Sequence, residues 1–206
     1  MNVTPYVEFE NVSVRFDGRA AIGNMSFRID NPGLWLIEGP SGSGKTTVLR
    51  VIAGLEKNYE GKCLVSGNVS YIFQEPRLFE GFSVLENVTL AVDRRKRGLS
   101  KEASEAMCAA ILEKLGLGSE LSKKAGECSG GMKQRVAAAR ALAAGPDVLL
   151  ADEPFSALDE ENRNAAAILL AELSSNSIVL VATHGRETAF DESLVTGKIV
   201  LGSPGT

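Results

Sequence analysis

The feature that most constrains this chain is a glycine-rich loop between two apolar segments. Residues 39–46 match the pattern G-x-x-x-x-G-K-[ST] at every fixed position. The apolar run 34–37 before the loop is typical of a buried strand, and residues 47–53 after it predict a helix. In such a loop the backbone N–H groups point inward, and the helix dipole favours an anion. The pattern therefore predicts a polyphosphate site formed by Gly39, Pro40, Ser41, Gly42, Ser43, Gly44, Lys45, Thr46 and Thr47.

Two side chains of this loop have chemistry of their own. An ammonium group at Lys45 can reach the β- and γ-phosphates of a nucleotide, and the hydroxyl of Thr46 can bind Mg²⁺. A chance Gly/Ser loop would lack the preceding strand, the following helix and both of these side chains. We therefore expect a phosphate-binding loop.

Composition limits the classes of protein that the chain can belong to. Its 206 residues, 44% hydrophobic and 23% charged, suit one large globular domain or one domain with an inserted subdomain. A formal net charge of −4 gives no support to a nucleic-acid partner. The sequence contains no apolar run near 18 residues, so we expect no membrane span. The three cysteines are far apart and suit free thiols in a reducing compartment.

The pattern of apolar residues divides the chain into three zones. Residues 6–37 alternate as strands do and predict a small antiparallel β-layer. Residues 75–124 are helical in character, with a capping box at Ser83 and a second helix capped by Ser100. From residue 130 onward, apolar strands such as 148–151 alternate with helices. This alternation predicts an α/β fold with a mostly parallel sheet that is covered on both faces.

A run of four cations, residues 94–97, lies between the two predicted helices of the middle zone. Such a run is most often a solvated loop, and we expect that here. Contact with anionic headgroups or with an acidic partner is the alternative.

The acidic pair Asp152 and Glu153 follows the apolar run 148–151 directly. It therefore lies at the carboxyl end of a predicted parallel strand, where α/β proteins bind ligands. One carboxylate can hold Mg²⁺ and the next can polarise an attacking water, and hydrolysis of a nucleoside triphosphate needs both roles. An acidic helix cap is the alternative, but it does not explain the position after a buried strand.

A second anion-binding pattern occurs at Ser129, Gly130 and Gly131, where a hydroxyl and exposed N–H groups begin a predicted helix. The alternative is a flexible connector. Because one phosphate loop already serves one nucleotide, a second such element suggests that two copies share the nucleotide across an interface.

Residues 128–135, C-S-G-G-M-K-Q-R, resemble the signature motif of the ABC-type ATPases, the nucleotide-binding subunits of ATP-driven transporters. The other motifs of that family occur in the family's order over essentially all of residues 1–206. The resemblance implies that residues 39–46 are the Walker A motif. It also implies that Asp152 is the Walker B aspartate, which binds the metal, and that Glu153 is the catalytic glutamate.

The resemblance implies further roles at single positions. Phe16 would stack on adenine, and Gln74 would contact magnesium and water and sense a transmembrane partner. Asp159, in the run 156–159, would belong to the D-loop, which reaches across a dimer. His184, the chain's only histidine, would contact the γ-phosphate and assist catalysis together with Glu153, Gln74 and Lys45. The metal ligands would be Thr46, Gln74 and Asp152.

The resemblance also implies an architecture and a set of partners. The fold would be a P-loop NTPase of ABC type in a single domain, 1–206, with a core of residues 1–74 and 130–206. Residues 75–129 would form a helical subdomain that ends in the signature motif. The cofactors would be ATP and Mg²⁺, and the partners a second ATPase subunit, membrane permease subunits and a separate substrate-binding protein, with no nucleic acid. The chain would lie on the cytoplasmic face of the inner membrane as a peripheral subunit.

Two positions depart from the family pattern: Cys128 stands where leucine is usual, and Phe16 where tyrosine is more frequent. Cysteine packs as a small apolar residue, and phenylalanine keeps the aromatic face that stacks on adenine.

The motifs are most similar to those of bacterial importers of the nitrate, sulfonate and taurine type. An ATPase of a soluble assembly system, such as iron–sulfur cluster building, would share every motif, so only the partner separates the two functions. A DNA-acting relative would need long coiled coils, which the sequence lacks, and a small-molecule kinase would not need the second anion-binding pattern.

Overall fold

The computed structural model of the chain describes residues 4–183 and 190–202. Within these ranges the strands are β1 Tyr6–Phe16, β2 Arg19–Ile29, β3 Gly33–Glu38, β4 Glu60–Ser66, β5 Val69–Ile72, β6 Val148–Asp152, β7 Ile178–Thr183 and β8 Val195–Val200. The α-helices are α1 Lys45–Ile52, α2 Val84–Thr89, α3 Arg94–Arg97, α4 Lys101–Lys114, α5 Gly130–Ala143 and α6 Glu160–Ser174. Single-turn 3-10 helices lie at Gly118–Glu120, Ala125–Glu127 and Glu192–Leu194.

Five strands form a parallel sheet in the order β5-β6-β7-β3-β8. The inner strands β6 and β7 are buried along almost their whole length, and this explains why their sequences are continuously apolar. Since the strand order differs from the chain order, helices must connect the strands across both faces. The predicted parallel sheet of an α/β fold is confirmed.

A separate antiparallel sheet has the order β2-β1-β4. Phe9 on β1 is opposite Phe27 on β2, and their ring centroids are 4.7 Å apart. This is the antiparallel β-layer that the alternating residues of the first zone predict. Its third strand comes from residues 60–66, beyond that zone.

Two apolar cores lie on opposite faces of the parallel sheet, because successive strand residues point to opposite sides. On β6, Leu149 belongs to the core beneath the helices α2, α4, α5 and α6, whereas Leu150 belongs to the core shared with α1 and the antiparallel sheet. Helix α1 is therefore enclosed between the two sheets. This burial fixes the position of the loop that leads into α1.

Local sequence signals set the ends of most helices. Ser83 and Glu86 form a complete capping box at α2, and Ser100 accepts from the N–H of Ala103 at the start of α4, so both predicted caps are confirmed. Helix α5 begins at Gly130, because Ser129 caps it by accepting from the N–H of Met132.

The four-cation run is helical, and the expected loop is wrong at this point. Asp93 caps α3 by accepting from the N–H of Lys96, and this bond closes one helical turn. The Lys96 ammonium donates to Asn68 Oδ1 at 3.0 Å, and Arg97 Nη1 donates to the Ala143 carbonyl at 2.8 Å. The four residues remain solvent-exposed, as expected for such a run. The three cysteines are free thiols, which is also as predicted.

Candidate active site

The site lies at the edge of the parallel sheet where the carboxyl ends of neighbouring strands meet. Gln74 lies shortly after β5, and the phosphate loop follows β3. Asp152 is the last residue of β6, and Glu153 follows it. Motifs that are far apart in sequence are therefore neighbours, since their strands are parallel and adjacent. His184 follows β7 in sequence but lies outside the described residues, so its predicted role has no structural description.

The phosphate loop requires glycine where it meets the antiparallel sheet. Gly44, the N-cap residue of α1, has φ 96°, and a Cβ atom there would collide with the Ala21 carbonyl. No side chain caps α1, and its first turn carries no acidic residue. The helix thus presents backbone N–H groups and the positive end of its dipole to the loop.

Lys45 is folded into the loop rather than extended into solvent. Only 5% of the residue is exposed, and its ammonium donates to the carbonyls of Gly39 at 2.7 Å and Pro40 at 3.1 Å. Ser43 Oγ is buried in the same loop with no hydrogen-bond partner. A buried positive charge next to an unsatisfied hydroxyl is an environment that suits the oxygens of a phosphate.

The Asp152 carboxylate is held by a hydroxyl at each oxygen. Thr46 Oγ1 donates to Oδ1 at 3.1 Å, and the Tyr71 phenol donates to Oδ2 at 3.3 Å. Burial raises the pKa of Asp152, and the two hydrogen bonds oppose that rise by stabilising the carboxylate. Thr46 and Asp152 are the oxygen donors that Mg²⁺ prefers. The described residues contain no cluster of three or more His, Cys, Asp or Glu that could enclose a metal, so a cation here would take further ligands from water or from a nucleotide.

Glu153 has an unusual backbone conformation for a non-glycine residue, with φ 49°. Its N–H donates to the Ala182 carbonyl on β7, and its own carbonyl accepts from the N–H of Ser156. Gln74 Nε2 donates to Glu153 Oε2 at 3.3 Å. These contacts turn the chain sharply after β6 and hold the carboxylate beside Gln74.

A cleft of about 400 Å³ is lined by half of the predicted site residues. Phe16 lines one side of the cleft. Because 47% of this residue is exposed, its ring is accessible to a flat ligand. The cleft is lined by Phe16, Ala21, Ser41, Gly42, Gly44, Lys45, Thr46, Thr47, Gln74 and Glu153. Its size and lining suit a nucleotide with its phosphates on the loop.

The remaining predicted residues lie outside this cleft. Ser129 caps α5, accepting from the N–H of Met132 at 3.3 Å, and it is solvent-exposed together with Gly130. Gly131 lies so close to the next loop that a Cβ atom there would be 3.0 Å from the Ala157 carbonyl. Asp159 caps α6 and accepts from the N–H of Asn162 at 2.9 Å, which lowers its pKa.

Three supporting residues have no role predicted from the sequence, although Arg135 lies within the signature motif 128–135. Tyr71 lies within an apolar strand, and nothing in the pattern distinguishes it from a core residue. Asn87 is completely buried and exchanges hydrogen bonds with the backbone of Phe79 at 2.9 and 3.0 Å. Arg135 Nη1 donates to Leu115 O at 2.8 Å and to Asn162 Oδ1 at 2.6 Å, which connects α5 to the end of α4 and to α6. A polar residue within an apolar helix face is the only sequence signal for Asn87.

The fold and the phosphate loop together define a P-loop nucleoside-triphosphatase architecture. The sequence profile of the family described as ABC transporter matches residues 22–156. The chain therefore belongs to the ABC transporter family.

Several relatives are similar to the chain over most of its length. It is 36% identical to the glutamine transport ATP-binding protein GlnQ of Escherichia coli K12, covering 95% of this chain and 87% of GlnQ. It is 37% identical to the aliphatic sulfonates import ATP-binding protein SsuB 1 of Paracoccus denitrificans, covering 91% and 76%. A third relative, the uncharacterized ABC transporter ATP-binding protein YdcT of E. coli K12, is 36% identical, and the chain spans 60% of its length.

The chain also shares its fold with solved structures of an ATP-binding cassette. The ATP-binding cassette MJ0796, in a dimeric post-hydrolysis state bound to ADP and Pi, superposes with a TM-score of 0.83 at 30% identity, covering 95% of this chain and 94% of that one. A second dimeric structure of MJ0796, described as a bacterial ABC transporter cassette, superposes with a TM-score of 0.84 at 29% identity. None of the helices in the described ranges is long and apolar enough to cross a membrane.

Proposed function

We propose that this chain is the ATP-binding and ATP-hydrolysing subunit of a membrane transporter, similar to the import ATP-binding proteins among its relatives. The observation that carries the proposal is the cleft beside α1, which combines an exposed aromatic ring, a phosphate loop with a buried lysine, and a carboxylate at the end of β6. Each group matches one part of ATP or of its hydrolysis. The transported solute is recognised elsewhere, by permease and binding-protein subunits.

The geometry supports a distinct role for each residue. Phe16 stacks on the adenine ring, and the N–H groups of the loop and the Lys45 ammonium hold the phosphates. Glu153 accepts a hydrogen bond from the attacking water and orients it, with Gln74 at 3.3 Å fixing the carboxylate. His184 contacts the γ-phosphate in this proposal, which for that residue depends on the resemblance alone.

Thr46 and Asp152, with Gln74 near them, would hold Mg²⁺. Bound there, the cation would neutralise phosphate charge during phosphoryl transfer. The protein contributes the placement of these two groups. The Thr46 hydroxyl from α1 and the Asp152 carboxylate from β6 lie with their oxygens 3.1 Å apart.

The working unit is a pair of subunits arranged head to tail. Ser129 and Gly130 are exposed and lie outside the cleft, although they form the N-terminus of a 14-residue helix. In the proposed pair they bind the phosphates held by the partner's loop, and Asp159 lies at the same interface. The dimeric state of the MJ0796 structures supports this arrangement. We propose two copies of this chain as the pair.

Residues 75–129 form the subdomain that transmits closure of the pair to the permease. Helices α2 and α4 pack on each other and on α5, which begins at the signature residues. In this subdomain the rings of Phe79 and Phe82 are exposed with centroids 5.5 Å apart, and they offer an apolar contact to a membrane subunit. The subunit would then lie peripherally on the cytoplasmic face of the membrane.

An ATPase of a soluble assembly system is the alternative function, because its site would be the same. The names of the relatives, which include glutamine transport and sulfonate import proteins, favour transport. A pull-down from detergent-solubilised membranes separates the two. Recovery of a protein with several membrane spans supports transport, and recovery of soluble partners alone contradicts it.

The shared site is tested with Glu153→Gln, which should lower ATP turnover at least ~100-fold, the usual loss for a catalytic base. In this background, ATP and Mg²⁺ should raise the dimer fraction in size-exclusion chromatography. Adding Ser129→Arg should abolish that dimer while one subunit still binds ATP. Ser175→Arg is the matched control, since Ser175 is exposed at the far end of α6. A Ser129→Arg protein that dimerises like the control would refute the shared site.

A further inference from the structure

We propose that Tyr71 is a positioning residue for the metal-binding carboxylate Asp152, holding one carboxylate oxygen so that the other faces Thr46. The inference depends on the proposed function, because it takes Thr46 and Asp152 as the Mg²⁺ site. It adds a residue that belongs to none of the motifs described above.

The sheet itself brings the two side chains together. Strands β5 and β6 are parallel neighbours, and Tyr71 is in register with Leu150. Because side chains two residues apart point to the same face of a strand, Asp152 lies on the face of Leu150 and Tyr71. The phenol oxygen reaches Asp152 Oδ2 at 3.3 Å. The contact thus follows from strand register and does not depend on a mobile loop.

The Tyr71 ring is held in place by a stack of neighbours. Its centroid is 4.2 Å from that of Phe73, with an angle of 19° between the rings. On Phe73, the Arg77 guanidinium carbon lies 4.2 Å from the ring centroid. Arg140 Nη1 in turn donates to the Arg77 carbonyl at 2.7 Å, which connects this segment to α5. Stacking and cation–π contacts of this kind restrict how far the phenol can move.

The hydroxyls of Thr46 and Tyr71 bond to different oxygens of the Asp152 carboxylate. Thr46 comes from α1 and bonds to Oδ1, whereas Tyr71 comes from β5 and bonds to Oδ2. A Thr46 hydroxyl that binds a cation does so through an oxygen lone pair and can still donate its proton to Asp152 Oδ1, while the Tyr71 bond holds Oδ2. Because the carboxylate has only acceptors and the phenol has one O–H donor, Tyr71 is the donor in this contact. Tyr71 therefore fixes the orientation of Asp152 both before and after a metal binds.

The test compares how strongly a metal strengthens nucleotide binding in Tyr71→Phe and in the parent protein. Phenylalanine keeps the ring stack and removes only the hydroxyl. Tyr59→Phe is the matched control, since Tyr59 packs against the same core cluster but lies outside the site. Asp152→Asn is the reference for loss of the metal ligand. The affinity of a non-hydrolysable ATP analogue is measured by calorimetry with and without Mn²⁺, and the ratio of the two affinities is the readout.

We expect Tyr71→Phe to lower that ratio about fivefold, the usual effect of one hydrogen bond, with metal-free affinity unchanged. Tyr59→Phe should leave both quantities unchanged. An unchanged ratio in Tyr71→Phe, with a reduced ratio in Asp152→Asn, would overturn the positioning role alone. An unchanged ratio in Asp152→Asn would overturn the metal site itself. Equal losses with and without Mn²⁺ in Tyr71→Phe would show a general structural defect and would also overturn the inference.

Discussion

The backbone at Glu153 leads to the prediction that glycine at this position gives a more stable protein than alanine does. With φ 49°, Glu153 is in the left-handed region, which an L-residue enters at a cost of roughly 1–2 kcal/mol. Its N–H is bonded to Ala182 O and its carbonyl to the N–H of Ser156, so the surrounding chain imposes this conformation. Glycine at this position would avoid the cost.

The magnitude follows from comparing glycine with alanine at the same site, because both remove the carboxylate. Glycine loses about 0.5–1 kcal/mol more backbone entropy on folding than alanine. Subtracting this from the conformational cost leaves Glu153→Gly more stable than Glu153→Ala by about 0.5–1 kcal/mol. For a chain of this size, 1 kcal/mol corresponds to roughly 2–4 °C in melting temperature.

The assay is urea unfolding of both variants without nucleotide, together with thermal melting. The matched control is Ala110→Gly on an exposed position of α4, where the backbone is helical and glycine should cost about 1 kcal/mol. Compared with alanine, glycine should thus raise the free energy of unfolding at position 153 and lower it at position 110. If Glu153→Gly is no more stable than Glu153→Ala, Glu153 is not strained and the reasoning fails. Both variants should lose ATP turnover, as Glu153→Gln does.

Two further predictions concern buried groups. Burial raises the pKa of the Cys108 thiol from 9.0 to about 11, so the unfolded chain loses that proton at lower pH than the folded one. The stability that this shift gives is fully present below pH 9 and is lost toward pH 11; urea titrations should show a steeper fall in this window for the parent than for Cys108→Ala. Replacing Asn87 by alanine leaves the N–H of Phe79 unpaired, whereas the Phe79 carbonyl still accepts from the N–H of Phe82. The change should lower the free energy of unfolding by about 2 kcal/mol, against little change for the exposed Asn58→Ala.

Each of these predictions has a result that would contradict it. Equal slopes for Cys108→Ala and the parent between pH 9 and 11 would show that the thiol titrates normally in the folded state. A loss below about 1 kcal/mol in Asn87→Ala would mean that water replaces the missing amide, so that the N–H of Phe79 is not left unpaired.

Local sequence signals predicted most of the elements and the position of the phosphate loop. Ser83 and Ser100 cap helices as expected, because a cap depends only on residues within one turn. The sequence predicts a solvated loop for the cation run 94–97, the usual state of such a run. It is helical because Asp93 caps it and because Lys96 and Arg97 bond to Asn68 and Ala143, which are distant in sequence.

The candidate site was predicted through its motifs, but its supporting contacts were not. A motif such as the loop around Lys45 is visible because its chemistry requires particular residues at fixed spacing. Tyr71 has no such spacing, since its partner Asp152 is 81 residues away and is reached only through the pairing of β5 with β6. Arg135 is similar, because its bonds to Leu115 and Asn162 join three helices.

By itself, the sequence determined the chemistry of this protein: a loop for phosphate, an acidic pair after a buried strand, and helix caps, all of which act between residues close in the chain. Only the tertiary structure decided which of these groups share one cleft, that Lys45 is buried against loop carbonyls, and that Glu153 has a left-handed backbone. The physical reason is that strand order and register bring together residues separated by many positions. Local propensity contains no information about such distances.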